Sequence, residues 1–311
     1  MKSCFLPAKA TESVECPLCR TRDHTILYTG SDYEYFLPGD FFVSRCNNCK
    51  LLFQNPRPPF HEILRYYTEE YSPYKKVGSE LMQWIRYILL VRPKVSELKK
   101  LIGNNAKVLD VGCSTGSFLL ELKKWTSWQL EGVEPKQEAA QLGLEQGLKI
   151  YPTTLEDANL QSESYDLIVM NHVLEHLPNP REITEVSFKL LKKGGYFYGF
   201  VPTSDCIEQK IFGKYWQGYH LPRHLTWFSK KQLKVFLEGF GFTLVKCISQ
   251  PHASNWQVSL RNFLFDKKIP LKFLKIFSGH NLFLYFLTVP FTLLLSWMGL
   301  GPIQKFIAKK P

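Results

Sequence analysis

The stretch from residue 107 to 118 constrains the fold more than any other part of the chain; it reads Lys-Val-Leu-Asp-Val-Gly-Cys-Ser-Thr-Gly-Ser-Phe. Its first half is the apolar run typical of a parallel strand that is covered on both faces. Gly112 and Gly116 then allow a tight turn that a ligand can approach closely. A helix predicted to begin at Ser117 or Phe118 points its unpaired N–H groups at this turn, so the turn is a cradle for a carboxylate or a phosphate.

The spacing of the glycines narrows the choice of ligand. The dinucleotide pattern G-x-G-x-x-G requires glycine near positions 114 and 117, where this chain has serine. The lysine of a nucleotide-binding P-loop is missing as well. A second predicted strand, 128–133, ends at Glu134, which lies 22 residues beyond Gly112. An acid in that place can accept hydrogen bonds from both ribose hydroxyls of an adenosine.

Predicted strands and helices alternate as far as residue 250, which favours a parallel sheet with right-handed crossovers. Further strands are predicted at 149–151, 165–170 and 196–201. The segment 171–176 that follows the second of these reads Asn-His-Val-Leu-Glu-His. Its H-x-x-E-H pattern also occurs in one class of zinc peptidases, but there it lies within a long helix. Here it directly follows a strand and precedes two prolines, which disfavours the peptidase interpretation.

Taken together, these motifs resemble class I S-adenosylmethionine (SAM) methyltransferases, over about residues 107–250 and the last strand. The resemblance implies a Rossmann-like α/β fold whose seven-stranded sheet has the order 3-2-1-4-5-7-6, with an antiparallel seventh strand at 303–309. It also implies that Glu156 and Asp157 contact adenine and that Asn171 and His172 line the methionine end of SAM. The implied SAM-binding residues are Asp110, Gly112, Cys113, Gly116, Glu134, Glu156, Asp157, Asn171 and His172.

Two C-x-x-C pairs near the amino terminus, separated by 26 residues, predict a zinc ribbon. The four thiolates of Cys16, Cys19, Cys46 and Cys49 can reach one tetrahedral Zn²⁺, and such closed sites are structural. A redox role is disfavoured because no thioredoxin-like pattern surrounds either pair. Nucleic-acid reading by the aromatic residues of the ribbon stays open at this point.

An irregular segment, 216–229, is the predicted acceptor site. It contains two histidines, an arginine and four aromatic residues. His220 or His224 is the candidate base that removes a hydroxyl proton, and Arg223 is the candidate ligand for an anionic group of the substrate. The alternative is that this loop only packs against the core.

Residues 276–304 contain no Lys, Arg, Asp or Glu. Pro290 and Gly299 divide this apolar run, which predicts two interfacial helices or a shallow hairpin rather than a bilayer crossing. The lysines 267, 268, 272 and 275 precede it and suit anionic head groups. The alternative is a helical pair that packs on the core or in a dimer.

No signal-peptide run occurs near the start, and the cysteine usage fits a reducing compartment. We therefore expect a cytoplasmic protein, peripheral on the inner face of the plasma membrane.

The sequence therefore predicts five segments: a zinc ribbon at 1–60, a linker with approach helices at 61–106, a SAM-binding core at 107–250, an apolar insertion at 251–301 and a last strand at 302–311. The net charge of +11 suits an anionic partner or simple solubility.

The first functional hypothesis is methyl transfer to oxygen of a small-molecule or lipid-linked acceptor, a glycan or polyprenyl compound. An RNA methyltransferase is disfavoured because the Asn/Asp-Pro-Pro-aromatic signature is missing, and a non-enzymatic ribbon protein because the SAM motifs are intact. The oligomeric state is left open.

Overall fold

The computed structural model describes residues 10–68, 92–277, 279 and 281–311. The approach helix predicted over 79–91 lies outside these residues. The strands are β1 His24–Gly30, β2 Phe41–Cys46, β3 Leu52–Gln54, β4 Lys107–Val111, β5 Gln129–Val133, β6 Lys149–Tyr151, β7 Tyr165–Asn171, β8 Leu191–Pro202, β9 Thr226–Trp227, β10 Thr243–Gln250 and β11 Ile303–Lys309. The helices are α1 Phe60–Ile63, α2 Arg92–Ile102, α3 Ser117–Trp125, α4 Gln137–Leu144, α5 Pro180–Leu190, α6 Ile207–Phe212, α7 Lys230–Glu238, α8 Ala253–Asp266, α9 Leu271–Leu274 and α10 Leu282–Trp297.

The large sheet has the predicted topology. Its strand order is β6-β5-β4-β7-β8-β11-β10. The pairs from β6 to β8 are parallel, whereas β11 pairs antiparallel with both β8 and β10. The predicted order 3-2-1-4-5-7-6 is therefore confirmed. The point at which the order reverses lies between β4 and β7, where ligands bind in open α/β sheets.

Helices cover both faces of this sheet, as its apolar strands require. Val108 and Leu109 are adjacent on β4 and fully buried, and they point to opposite faces. On one face, α2 and α3 pack against Val108 and its neighbours. On the other, α5 and α7 enclose the cluster that contains Leu109.

The amino-terminal segment forms a second, four-stranded sheet of order β1-β2-β3-β9. Between and beside the two cysteine pairs lie β1 and β2, but the last strand of this sheet, β9, comes from the segment predicted to bind the acceptor. Cys16 and Cys46 pack in the same apolar cluster as Phe228, which directly follows β9. The segment therefore shares both a sheet and a core with the rest of the chain.

The insertion before β11 contains α8 and α10, and Pro290 lies inside α10 rather than dividing two helices. The predicted break at Pro290 is therefore wrong. The helix packs along α8, where the Thr288 hydroxyl donates a hydrogen bond to the Ala253 carbonyl (3.2 Å) and Trp256 meets Phe291 edge-on at 5.0 Å. None of the helices among the described residues has the length and apolarity needed to cross a bilayer.

Candidate functional site

The turn after β4 has backbone angles that demand glycine. Gly112 and Gly116 have φ angles of 68° and 73°. A Cβ at Gly112 would lie 2.7 Å from a methyl group of Val173, and one at Gly116 would lie 2.3 Å from Leu148. Gly116 is the N-cap of α3, and none of the side chains that the structure describes caps that helix. The first N–H groups of α3 therefore remain available to an anionic ligand.

Glu134 lies next to this turn because β4 and β5 end side by side, with Val111 opposite Val133. Its carboxylate accepts hydrogen bonds from the backbone N–H of Ser114 (2.9 Å) and of Lys136 (3.0 Å). Burial raises the pKa of Glu134, and these two hydrogen bonds oppose that shift. The backbone thus holds the carboxylate in one orientation, with lone pairs left for further donors.

A lysine that the sequence analysis did not select lies at the centre of the site. The Lys94 ammonium of α2 donates a hydrogen bond to Asn171 (2.7 Å) and lies over the rings of Phe118 (4.1 Å) and Phe200 (4.8 Å). Burial raises the pKa of Asp110 to about 7, with Lys94 opposing the shift and Glu134 adding to it. No local pattern marks Lys94, because its partners lie in α3, β7 and β8, which come later in the chain.

Three of the SAM-binding residues implied by the resemblance are either packed within the protein or exposed to solvent. Cys113 is buried, and a Cβ on Gly132 would lie 2.6 Å from its sulfur, so this side chain packs between the sheet and its helices. Glu156 and Asp157 are exposed after β6. The Thr154 hydroxyl donates a hydrogen bond to Asp157 (2.9 Å).

His172 and Glu175 form an oriented pair just after β7. His172 is in the left-handed region (φ 56°), and its imidazole stacks on Phe200. Nδ1 of His172 lies 3.0 Å from Oε1 of Glu175, whose side chain is fully buried while 45% of the histidine side chain is exposed. Burial would raise the pKa of Glu175, but the hydrogen bond with His172 and the neighbouring imidazoles lower it. A carboxylate behind an exposed imidazole is an arrangement that suits a general base.

Arg223 does not face a substrate. Its guanidinium is fully buried and forms a salt bridge with Asp32, in which Nη2 donates to both carboxylate oxygens (2.9 Å each) and Nη1 donates to Oδ1 (3.2 Å). It also donates hydrogen bonds to the carbonyls of Tyr66 and Leu221. Every face of the guanidinium is thus engaged within the protein, which corrects the expectation that it binds an acceptor anion.

His220 and His224 lie together but are poor bases. Nδ1 of His224 lies 2.9 Å from the Gly218 carbonyl oxygen, and Nε2 lies 3.4 Å from Nδ1 of His220. Burial lowers the pKa of His224 to about 3 and that of His220 well below its ordinary value. Both imidazoles are therefore neutral at neutral pH and bind a proton weakly. A third ring, that of His176, meets His224 edge-on at 4.5 Å.

The four cysteines of the amino-terminal pairs converge as the sequence predicts. The Sγ atoms of Cys16 and Cys49, and those of Cys19 and Cys46, are 3.4 Å apart, and all four lie within 4.8 Å of one another. Tetrahedral zinc with Zn–S bonds of about 2.3 Å places its sulfur atoms about 3.8 Å apart. The donor set and spacing therefore fit a tetrahedral metal ion.

Comparison with known proteins places residues 82–247 in the family described as a methyltransferase domain. Over 174 residues the chain is 24% identical to an uncharacterised protein of Methanocaldococcus jannaschii, a match that covers 56% of this chain and 82% of that protein. It is 32% identical over 133 residues to the ubiquinone biosynthesis O-methyltransferase of Erwinia tasmaniensis, with 40% of this chain and only 50% of the enzyme covered. The structure of geranyl diphosphate C-methyltransferase from Streptomyces coelicolor A3(2) shares the fold, with 11% identity, a TM-score of 0.52 and coverages of 81% and 98%.

Proposed function

The chain belongs to the class I SAM-dependent methyltransferases, and we propose that it methylates a hydroxyl oxygen of a lipid-linked or membrane-proximal acceptor, a glycan or a polyprenyl compound. The single observation that carries the oxygen target is the exposed His172 imidazole backed by the buried carboxylate of Glu175. A hydroxyl group needs such a base, whereas an amine that arrives deprotonated does not. The Erwinia relative is named as an O-methyltransferase, although the match spans only half of its length.

The residues around the turn after β4 would hold SAM. The α3 N–H groups and Gly112 would bind the methionine carboxylate, and Glu134 would accept hydrogen bonds from the ribose hydroxyls. SAM supplies a methyl group already activated by its sulfonium. Asn171 and His172 would lie at the methionine end, so the chain would need only to align the acceptor and take its proton. We assign the removal of this proton to His172 rather than to His220 or His224, because burial makes those two histidines weaker bases.

The general-base assignment is tested by His172→Gln. Loss of a positioned base lowers turnover by about 10²- to 10⁴-fold, so we expect that loss at saturating SAM, with a much smaller fall in SAM affinity by isothermal titration because His172 also lies at the methionine end. The assay follows transfer of a labelled methyl group from SAM into the lipid and glycan fractions of the source cells. His61→Gln, a change at an exposed histidine outside the cleft, is the matched control. Full turnover in His172→Gln, or methylation of nitrogen in the product, would contradict the assignment.

The membrane-proximal acceptor is supported by the exposed apolar face of α10. The opposite face of this helix packs on α8, while six of its apolar side chains are more than half exposed. They are Phe283, Phe286, Leu287, Leu293, Leu294 and Trp297, with between 52% and 83% of each exposed. A contiguous patch of this kind is characteristic of an interaction site. The lysines 267, 268, 272 and 275, which are also exposed and precede the helix, favour anionic lipid as its partner.

Sedimentation with phosphatidylcholine vesicles that contain phosphatidylglycerol tests this surface. We expect the wild type to pellet with anionic vesicles, and the double variant Phe286→Ser/Trp297→Ser to stay in the supernatant because it lacks two of the most exposed apolar side chains. The control Leu142→Ser/Val235→Ser removes two exposed apolar side chains from other helices, and this variant should pellet like the wild type. If the wild-type protein does not bind vesicles but binds RNA, the nucleic-acid hypothesis is favoured instead.

We further propose that Cys16, Cys19, Cys46 and Cys49 hold a structural Zn²⁺. The four sulfur atoms converge without forming a disulfide among the described cysteines. In both pairs the turn closes in the same way, since the N–H of Arg20 donates to the Cys16 carbonyl and that of Lys50 to the Cys46 carbonyl. This repeated knuckle presents two sulfurs from each pair to one ion.

A further inference from the structure

A second group of possible metal ligands lies beside the proposed base. Among the described residues, two groups of side chains bring three or more ligand atoms together, and the first is the four-cysteine set. The second consists of Glu175, His176 and His224, whose ligand atoms lie within 4.8 Å of one another. Two of these residues follow β7, and the third comes from the loop before β9. Only the tertiary fold brings them together.

The carboxylate in this group has an unused oxygen. Glu175 is fully buried, and its Oε1 is engaged by His172. Its Oε2 is buried as well and has no hydrogen-bond partner among the described residues. Buried carboxylate oxygens are nearly always paired, because leaving one unpaired is costly. The position of this oxygen next to two imidazoles therefore suits a bound cation.

Both imidazoles are oriented in the way that metal-binding histidines usually are. Nδ1 of His176 lies 3.0 Å from the Arg223 carbonyl oxygen and 2.8 Å from the Tyr67 hydroxyl oxygen, and Nδ1 of His224 lies 2.9 Å from the Gly218 carbonyl oxygen. A histidine that binds a metal generally uses its other ring nitrogen to donate to a carbonyl or carboxylate. Nε2 is then the ligand atom of each ring. The contact between Nε2 of His224 and Nδ1 of His220, at 3.4 Å, is longer than a strong hydrogen bond.

We propose that Glu175, His176 and His224 form a mononuclear site for a divalent first-row transition metal such as Mn²⁺, Fe²⁺ or Zn²⁺. Two imidazole nitrogens and one carboxylate oxygen are a donor set that these ions accept, while leaving coordination positions open. The site lies directly behind His172, because Glu175 uses one oxygen for the histidine and the other for the ion. A cation in this position would favour the ionised form of an acceptor hydroxyl.

The test is a titration of the full-length protein with Mn²⁺, followed by electron paramagnetic resonance of the free ion. Mn²⁺ prefers oxygen and nitrogen ligands and does not displace Zn²⁺ from thiolates, so the cysteine site keeps its ion. We expect one bound Mn²⁺ per chain in the wild type, with affinity at least about 100-fold weaker in Glu175→Gln and in His224→Gln. His61→Gln, at an exposed histidine elsewhere, should bind like the wild type.

Two further measurements distinguish loss of a metal ligand from loss of the fold. Bound Mn²⁺ should show magnetic coupling to two imidazole nitrogens in the wild type and to one in His224→Gln. SAM affinity and the far-ultraviolet circular dichroism of each variant report whether it is folded. A wild-type protein that binds no Mn²⁺, Fe²⁺ or Zn²⁺ beyond the cysteine site overturns the proposal, as does wild-type affinity in both folded variants. Neither outcome depends on the acceptor or on methyl transfer.

Discussion

At the scale of single residues, position and partners decide which of the polar side chains can act. The carboxylates of Asp110 and Glu134 and the imidazole of His172 lie at or near the ends of three neighbouring strands, around the turn after β4. Arg223 and His224 have the chemistry of a site, but the guanidinium is paired with Asp32 and the imidazole contacts the Gly218 carbonyl. A side chain of the right type is therefore not sufficient, because its partners determine its role.

Glu134→Gln should weaken SAM binding while leaving the fold intact. The amide oxygen can still accept a backbone hydrogen bond, but the charged acceptor for the ribose hydroxyls is lost, at a cost of about 1.5–3 kcal/mol. We expect an affinity about 10- to 100-fold lower by isothermal titration. The matched control is Glu138→Gln, at an exposed glutamate on α4. Unchanged affinity in Glu134→Gln would remove this residue from the proposed site.

The affinity for SAM should fall as the pH is lowered through 7. Burial raises the pKa of Asp110 to about 7, so this carboxyl is ionised above that pH and protonated below it. SAM carries positive charge, which the ionised form favours and the protonated form does not. Between pH 8 and pH 6 we expect a loss of roughly tenfold in affinity, about the change in the ionised fraction. Asp110→Asn should bind weakly with a flat pH profile, and a flat profile in the wild type would contradict the prediction.

Arg223→Met should destabilise the protein rather than alter its substrate binding. The change leaves Asp32 buried without its cation, and breaking a buried pair in this way costs about 3–5 kcal/mol. Urea unfolding measures the loss. Arg22→Met, at an exposed ion pair with Glu15, should cost less than about 1 kcal/mol. A stable Arg223→Met protein with poor acceptor binding would restore the original assignment of Arg223.

At the scale of elements, strand ends and helix starts build the site. The loop between α6 and α7 contributes β9 to the sheet of the amino-terminal segment, and the chain then enters α7 through a capping box formed by Ser229 and Gln232. The side chain of Ser229 accepts the N–H of Gln232, and the Gln232 side chain accepts the N–H of Ser229. The start of α7 therefore fixes one end of the loop that contains His224.

Ser229→Ala should lower the free energy of unfolding by about 1 kcal/mol, because it removes the accepting oxygen of this cap. Urea unfolding should show a lower midpoint with an unchanged slope. Lys231→Ala, an exposed change in the same turn of the helix, tests whether the loss is specific to the cap. Equal losses in both variants would show that the cap contributes little.

At the scale of the whole molecule, the amino-terminal segment and the catalytic core share one apolar cluster. Cys16, Cys46 and Phe53 pack with Phe228 and Leu233 in that cluster. The proposed Zn²⁺ would therefore stabilise more than the segment that binds it. The ion would also stabilise the sheet that ends in β9, next to the loop that contains His224.

Removal of the proposed Zn²⁺ by a chelator should lower the midpoint of the single main unfolding transition, by at least about 5 °C in calorimetry. Adding back one equivalent of Zn²⁺ should restore it. A small separate transition that disappears on chelation, with the main one unmoved, would show instead that the amino-terminal segment unfolds independently.

The sequence by itself determined the features that depend on neighbours along the chain. The apolar run that begins after Lys107 predicts β4, because a strand covered on both faces has a continuous apolar signature. The strand predicted at 149–151 agrees with β6, and the bounds 303–309, which the resemblance to the methyltransferase family implied, agree with β11. The glycine turn and the acid 22 residues later predict where one ligand sits, since the ends of adjacent parallel strands meet. Only the tertiary structure decided the partners of Arg223, Lys94 and Glu175. Arg223 and Asp32 are 191 residues apart, and no periodicity or spacing encodes which buried charge meets which across that distance.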